Sequence, residues 1–159
     1  MKRYKCVTMG GTFDVLHLGH VDLLRKSFEI GSYVVIGLTS DEFAKYRLKK
    51  NLRNTFETRL KNLKTLILNQ IRSTSFEITK LEEEFGPLMF SEYIDCLVVS
   101  SETSTKGEKI NKIRSEKGLL PIDIIIVKMR LAEDGLPISS TRIKAKEIDP
   151  EGRILDLKK

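Results

Sequence analysis

Tryptophan is absent from this chain of 159 residues, and aromatic residues together make up only 7% of it. Proteins that bind single-stranded nucleic acid usually place exposed aromatic side chains among their basic residues. The composition therefore argues against nucleic acid as a partner, although the formal net charge is +6. The excess of positive charge instead favours a site that attracts small anionic molecules.

Cysteine and histidine are also scarce, with two residues of each. Cys6 and Cys96 have neither a metal-binding nor a redox spacing, and with only two histidines and no Cys-x-x-Cys motif we do not expect a structural zinc site. No apolar run approaches the roughly 20 residues needed to cross a bilayer, and the charged N-terminus does not resemble a secretory signal. We therefore expect a cytoplasmic protein with no metal site and no membrane contact, whose oligomeric state stays open.

Short apolar runs alternate with helical patterns along the chain, which is typical of a parallel α/β sheet. We expect strands at about 5–9, 33–38, 76–78, 96–99 and 122–127, the third of them at an edge. Helical spacing begins near residue 21 and recurs at about 55–68, 106–117 and 139–146. Because no repeat or boundary is visible, we predict a single domain over residues 1–159 with a Rossmann-like, doubly wound sheet of five parallel strands.

The most informative segment is 10–20, Gly-Gly-Thr-Phe-Asp followed by Val-Leu and then His-Leu-Gly-His, between the first strand and the first helix. Gly10 and Gly11 allow the backbone to approach a ligand closely. A helix start favours phosphate, and imidazoles such as His17 and His20 can carry charge near neutral pH. The alternative is an ordinary turn with two surface histidines. The segment contains neither the dinucleotide-binding glycine pattern nor a P-loop.

A second signal is segment 138–143, Ile-Ser-Ser-Thr-Arg-Ile, which has the features of a capped helix start. The hydroxyl residues alone are explained by capping. Arg142 is different, because an arginine in the first turn opposes the helix dipole unless an anion lies nearby. We therefore expect this segment to hold a polyphosphate.

Basic residues cluster at positions 45–53, directly after the second strand. Most residues of such a run are solvated, but one can reach a phosphate as a mobile charge. We choose Lys45 for this role because it lies only a few residues beyond the strand, with Arg47 as the second choice.

Three weaker features accompany these motifs. Segment 98–103 ends the fourth strand, where an adenosine could rest, and Asn111 and Arg114 share a face of the following helix. A helix cap and a surface helix explain these residues equally well. Segment 132–135, Ala-Glu-Asp-Gly, is better explained as a turn than as a Mg²⁺ site.

Together these motifs resemble the nucleotidyltransferase superfamily with His-x-Gly-His and Ile-Ser-Ser-Thr motifs, and in particular the archaeal-type phosphopantetheine adenylyltransferases. The resemblance runs from about residue 6 to residue 152 and is carried by segments 10–14, 17–20, 98–103, 132–135 and 138–143. His17 stands where bacterial enzymes of this activity usually have threonine.

The resemblance implies direct transfer of AMP from ATP to 4′-phosphopantetheine in coenzyme A biosynthesis, with release of pyrophosphate and no covalent enzyme intermediate. Mg²⁺ would accompany ATP. The alternatives are an adenylyltransferase for FMN or nicotinamide mononucleotide, and a non-catalytic nucleotide-binding module.

The implied catalytic residues are His17, His20, Lys45 and Arg142. The implied ATP contacts are Gly11, Thr12, Phe13, His20, Ser100, Glu102, Ser139, Ser140, Thr141 and Arg142. The implied contacts to the acceptor are Thr12, Lys45 and Arg47.

The two cysteines test the inferred strand order. Cys6 lies four residues before Gly10, and Cys96 lies four residues before Ser100. If the first and fourth strands are neighbours in matching register, the two Cα atoms lie about 5 Å apart, within disulfide reach. We expect both thiols to be reduced in a cytoplasmic protein.

Overall fold

The computed structural model describes residues 2–155, which contain a five-stranded parallel sheet in the order β3-β2-β1-β4-β5. The strands are β1 (Tyr4–Gly11), β2 (Gly31–Thr39), β3 (Phe76–Leu81), β4 (Cys96–Ser100) and β5 (Asp123–Val127). The chain starts in the centre of the sheet, builds outward to β3, and then returns past β1 to build the other half. This reversal confirms the predicted doubly wound α/β fold, with β3 at an edge.

The helices are α1 (Leu18–Ile30), α2 (Phe56–Leu66), α3 (Thr105–Glu116) and α4 (Ser140–Lys144). Thr55 caps α2 by accepting a hydrogen bond from the amide of Thr58. Gly118, with φ +76°, follows the end of α3, as its sequence position indicates. Within residues 2–155, every helix is too short or too polar to span a membrane.

One face of the sheet is covered by α1 and α2. Val7 and Met9 of β1 pack there with Ile36 of β2, Leu24 of α1 and Leu63 of α2, all of them buried. Residues 34–38 of the interior strand β2 are apolar and buried on both faces, as a strand covered by two layers requires.

The opposite face is covered by α3 and by the connection from β3 to β4. This connection, residues 82–95, crosses over β2 and β1 because β3 and β4 are separated by those two strands. Gly86 and Pro87 prevent a long helix here, and only a short 3₁₀ turn forms at Pro87–Phe90. Phe85 and Ile94 anchor the connection in the core of this face. We call residues 84–94 the strap.

The cysteine prediction is half right. Strands β1 and β4 are neighbours, but the register pairs Val7 with Cys96, not Cys6 with Cys96. Because side chains alternate between faces, this one-residue difference places Cys6 on the strap face and Cys96 on the face of α1. Both cysteines are free thiols.

Candidate functional site

A cavity of about 1030 Å³ opens at the carboxyl ends of the strands, beside the point where the strand order reverses. Ligands of open α/β sheets bind at this position. The residues predicted for the site that line the cavity are Gly11, Thr12, Phe13, His20, Arg47, Ser100, Ser140 and Thr141. The predicted residues that lie outside the lining are His17, Lys45, Glu102, Ser139 and Arg142.

The two histidines are stacked at the start of α1, with ring centroids 3.8 Å apart. His17 is the N-cap, and its Nδ1 accepts a hydrogen bond from the amide of Gly19. His20 Nδ1 accepts a hydrogen bond from the amide of His17 at 3.3 Å. A Cβ at position 19 would lie 2.8 Å from the His17 ring, which explains why glycine separates the pair. His17 therefore orients His20, and His20 is the histidine that lines the cavity.

Burial favours the neutral form of both imidazoles, although such side chains can carry charge near neutral pH. Burial lowers the pKa of His17 to about 4. Burial, together with the neighbouring His17 ring and the Lys50 ammonium, holds the pKa of His20 well below its usual value. Because Nδ1 of His20 is an acceptor, its proton resides on Nε2. The ring therefore offers one neutral N–H donor.

Of the two basic residues chosen from the sequence, Arg47 lines the cavity and Lys45 does not. Residues Phe43–Arg47 form a π-helical turn, and Lys45 on this turn is exposed and outside the lining. Arg47 and Lys50 line the cavity, together with Lys49. The second choice, Arg47, is thus better placed than the first. Lys50, which the sequence placed among the solvated residues, lies close enough to affect His20.

Asp14 anchors the basic loop that follows this turn. Its carboxylate accepts hydrogen bonds from the amides of Arg53 and Asn54, at 2.8 and 2.9 Å. Lys144 of α4 pairs with the same carboxylate and donates to the carbonyl of Asn51 at 2.7 Å. These contacts tie together the glycine–histidine segment, the basic loop and α4. They lower the pKa of Asp14 below its usual value even though desolvation by burial, the largest single influence, acts to raise it.

Arg59 of α2 is fully buried and joins the ends of β1 and β2. Its guanidinium donates to the carbonyls of Thr12, Thr39 and Asn54 at 2.9, 2.8 and 3.2 Å, and to Asp41 at 2.7 Å. Sequence patterns gave no signal for this residue, because an isolated arginine on a helix is usually solvated. Arg59 fixes the backbone of Thr12 beside the cavity.

Helix α4 begins as predicted, but its arginine points elsewhere. Ser139 caps the helix by accepting from the amide of Arg142, which explains why Ser139 is absent from the lining. The guanidinium of Arg142 pairs with Asp134 and donates to the carbonyl of Pro137. The turn at 132–135 is therefore a turn, as expected, and its carboxylate supplies the anion that Arg142 requires.

The segment after β4 contributes less than expected. Ser100 lines the cavity and lies 3.1 Å from the hydroxyl of Thr103, while Glu102 is exposed and outside the lining. Asn111 exchanges two hydrogen bonds with the backbone of Ile122, so its role is structural. Arg114 is buried and donates to three backbone carbonyls, including Met89 of the strap. The structural interpretation of these two residues is therefore the better one.

The cavity offers few ligands for a metal. Across residues 2–155, no cluster of three or more His, Cys, Asp or Glu residues is suited to hold an ion. The carboxylates in the lining are Asp14, which is paired with Lys144, and Glu84, which is paired with Lys109. This donor set suits a divalent ion that arrives on a phosphate ligand and keeps most of its water.

A model of a protein family described as cytidylyltransferase-like matches residues 8–146. The chain belongs to the cytidylyltransferase-like family. The match includes both the glycine–histidine segment and α4, so the two parts of the cavity wall lie within the region typical of this family.

The chain is similar over nearly its whole length to curated proteins. It is 40% identical over 154 residues to a phosphopantetheine adenylyltransferase of Methanothermobacter thermautotrophicus, covering 97% of this chain and 92% of that protein. It is 43% identical over 152 residues to a phosphopantetheine adenylyltransferase of Pyrococcus furiosus, covering 95% and 94%. A solved structure of a protein of unknown function from Archaeoglobus fulgidus matches with a TM-score of 0.66 and 35% identity, covering 80% of this chain and 89% of that one. The predicted family resemblance is confirmed.

Proposed function

We propose that this protein is a phosphopantetheine adenylyltransferase, which transfers AMP from ATP to 4′-phosphopantetheine in coenzyme A biosynthesis. The products are dephospho-coenzyme A and pyrophosphate. The observation that carries the proposal is the neutral His20 donor facing a cavity that Arg47 and Lys50 also line. The identity of 40–43% to proteins of this name supports the choice of acceptor. The proposed location is the cytoplasm, and the proposed unit is one domain over residues 1–159.

In this reaction the phosphate of the acceptor attacks the α-phosphorus of ATP, so the protein need not supply a nucleophile. Its task is to bring two anions together and to stabilise charge in the transition state. His20 Nε2–H would donate to an α-phosphate oxygen, and Arg47 and Lys50 would neutralise the approaching phosphates. Thr12, fixed by Arg59 and by a 3.0 Å hydrogen bond from Thr39, would orient the acceptor phosphate.

The other end of the triphosphate would lie along α4. Ser140 and Thr141 line the cavity there, next to Lys144. The nucleotide is taken as MgATP, with the ion held by phosphate oxygens and water. Arg142 would act indirectly, because its pairing with Asp134 fixes the turn that precedes the helix. Lys45 and Glu102 have no direct role in this proposal, and His17 acts by orienting His20.

The rest of the cavity suits the pantetheine arm. Its wall on the strap side is apolar, formed by Leu81 at the end of β3 and by Phe85, Leu88 and Met89. The floor is the sheet itself, at Val35. A flexible neutral arm with a dimethyl group buries apolar area here, while its amide groups can reach the polar residues at the cavity edge.

The test is to supply the purified protein with MgATP and, separately, 4′-phosphopantetheine, FMN or nicotinamide mononucleotide, and to measure pyrophosphate. We expect release only with 4′-phosphopantetheine, and recovery of ATP when dephospho-coenzyme A and pyrophosphate are supplied. Release with another acceptor would reassign the substrate. Nucleotide binding without pyrophosphate release from any acceptor would indicate a non-catalytic module.

A further inference from the structure

The two edges of the sheet differ in how they are protected from pairing with another strand. Natural proteins usually place charged residues or proline on an edge strand, because its open backbone groups attract other strands. The β3 edge carries two exposed charges within the strand, Glu77 and Lys80. The β5 edge has neither charge nor proline at positions 124–127, Ile-Ile-Ile-Val, and Ile126 is 54% exposed. The β5 edge is therefore the unprotected one.

The backbone groups of Ile124 and Ile126 face this edge. In a parallel pair, alternate residues of a strand direct both their N–H and their C=O to the same neighbour. The amide of Asp123 donates to the carbonyl of Asp95, directly before β4, at 3.2 Å. The odd-numbered residues of β5 therefore bond to β4, and the even-numbered ones point away from it. Within residues 2–155, no backbone group outside the sheet bonds to Ile124 or Ile126.

The open stretch of backbone has closed ends. Before it, Asn111 of α3 donates to the carbonyl of Ile122 at 3.0 Å and accepts from the amide of the same residue at 2.8 Å. Beyond it, the carbonyl of Arg130 accepts from the amide of Ile138 at 2.9 Å. Between these ends, β5 keeps two N–H and two C=O groups that a further strand can bind.

We infer that two copies of this protein pair through their β5 edges as a symmetric antiparallel dimer, with the two-fold axis at Ile125. The two five-stranded sheets then form one continuous sheet. In this register, Ile124 of each copy lies opposite Ile126 of the other, and facing residues of this kind exchange two hydrogen bonds. The symmetry creates two such pairs, so every open group of β5 in both copies finds a partner.

Charge also favours a second copy as the partner. Asp123, whose carboxylate accepts a hydrogen bond from Tyr4, is exposed at the start of β5, and Lys128 is exposed directly after its end. Antiparallel pairing about Ile125 places Asp123 of one copy opposite Val127 of the other, next to Lys128. The symmetry repeats this contact at the other end of the joint. Parallel pairing would instead bring like charges together.

Sedimentation equilibrium of the full chain tests for the dimer. A joint of one strand pair is at the small end of specific interfaces, so we expect a Kd of about 10–100 µM. Ile126→Pro removes an N–H that faces the free edge and leaves the bonds to β4 in place, so it should raise Kd at least about thirtyfold. Ile126→Thr keeps the amide and a β-branched side chain, and its Kd should stay within about fivefold of wild type. A monomer at about 500 µM wild-type chain would overturn the inference.

Amide hydrogen exchange of the unaltered chain locates the joint without any substitution. We expect the amides of Ile124 and Ile126 to exchange fast at low protein concentration and at least about tenfold more slowly above Kd. The amide of Ile125, which bonds to β4, should be protected throughout. A dimer that forms without slowing Ile124 and Ile126, or protection of these amides at every concentration, would show that another surface pairs or that the edge is already covered, and would refute the proposal.

Discussion

Replacing Arg59 by methionine tests whether one buried side chain holds the floor of the site together. Methionine keeps most of the aliphatic volume of arginine but removes every donor. The carbonyls of Thr12, Thr39 and Asn54 would then lose the hydrogen bonds described above. Asp41 would lose its partner too, but its side chain is 42% exposed and can be hydrated.

The expected cost follows from these four contacts. A buried polar group left without a partner costs about 1–3 kcal/mol. The carbonyl of Thr39 is bonded in a buried position, whereas the other acceptors are partly accessible, so we expect a total loss of about 3–5 kcal/mol. For a chain of this length, that lowers Tm by roughly 6–20 °C. Because Thr12 also loses its support, kcat should fall as well.

Urea unfolding followed by circular dichroism measures the loss, with Arg59→Lys as the matched control. Lysine keeps the charge but cannot reach donors in three directions, so it should recover only part of the stability. A loss below about 1 kcal/mol in Arg59→Met, with an unchanged m-value, would show that water replaces the guanidinium and would refute the reasoning.

Four further outcomes are expected. His20→Ala should lower kcat by a factor of about 10²–10³, while ATP affinity, measured by calorimetry, changes much less. Near-normal turnover would show that His20 has no catalytic role. Since His17 and His20 have lowered pKa values, the unfolded chain binds more protons below about pH 6.5, so the free energy of unfolding should fall from about pH 7 to about pH 5. This slope should flatten when both are changed to glutamine, and a slope that stays the same would mean that neither ring is buried in its neutral form. Arg47→Ala should raise the KM for the acceptor at least about tenfold, while Lys45→Ala stays within about twofold of wild type; the reverse order would support the original choice of Lys45. Lys144→Ala should loosen the basic loop. The amides of Arg53 and Asn54, which bind Asp14, should then exchange hydrogen faster. Unchanged exchange would contradict the anchoring role.

Local patterns predicted the framework well because the signals there are periodic. The apolar run of β2, the glycine after α3 and the break at Gly86 each specify an element through a few neighbouring residues. The position of His20 was predictable for the same reason, since a strand, a glycine loop and a helix start follow one another within segment 10–20.

Side-chain partners from distant segments were not predictable in this way. Arg59 has four acceptors in three separate segments, and no local pattern marks such a residue. For Arg142, the argument that an anion must lie nearby was correct, but Asp134 supplies it in place of a phosphate. Lys45 lies on a π-helical turn and outside the cavity lining, where the sequence suggested a loop; the turn is set by contacts that a run of charged residues does not reveal.

Because of the register of β1 against β4, a disulfide between the two thiols would report whether these strands paired correctly during folding. The sheet separates Cys6 from Cys96, because the native register places the two side chains on opposite faces. A bond between them requires β1 to slip by one residue, which would turn its apolar side chains towards the wrong layer. A Cys6–Cys96 cross-link formed during oxidative refolding would therefore mark molecules whose central strands paired out of register, and its yield would count them.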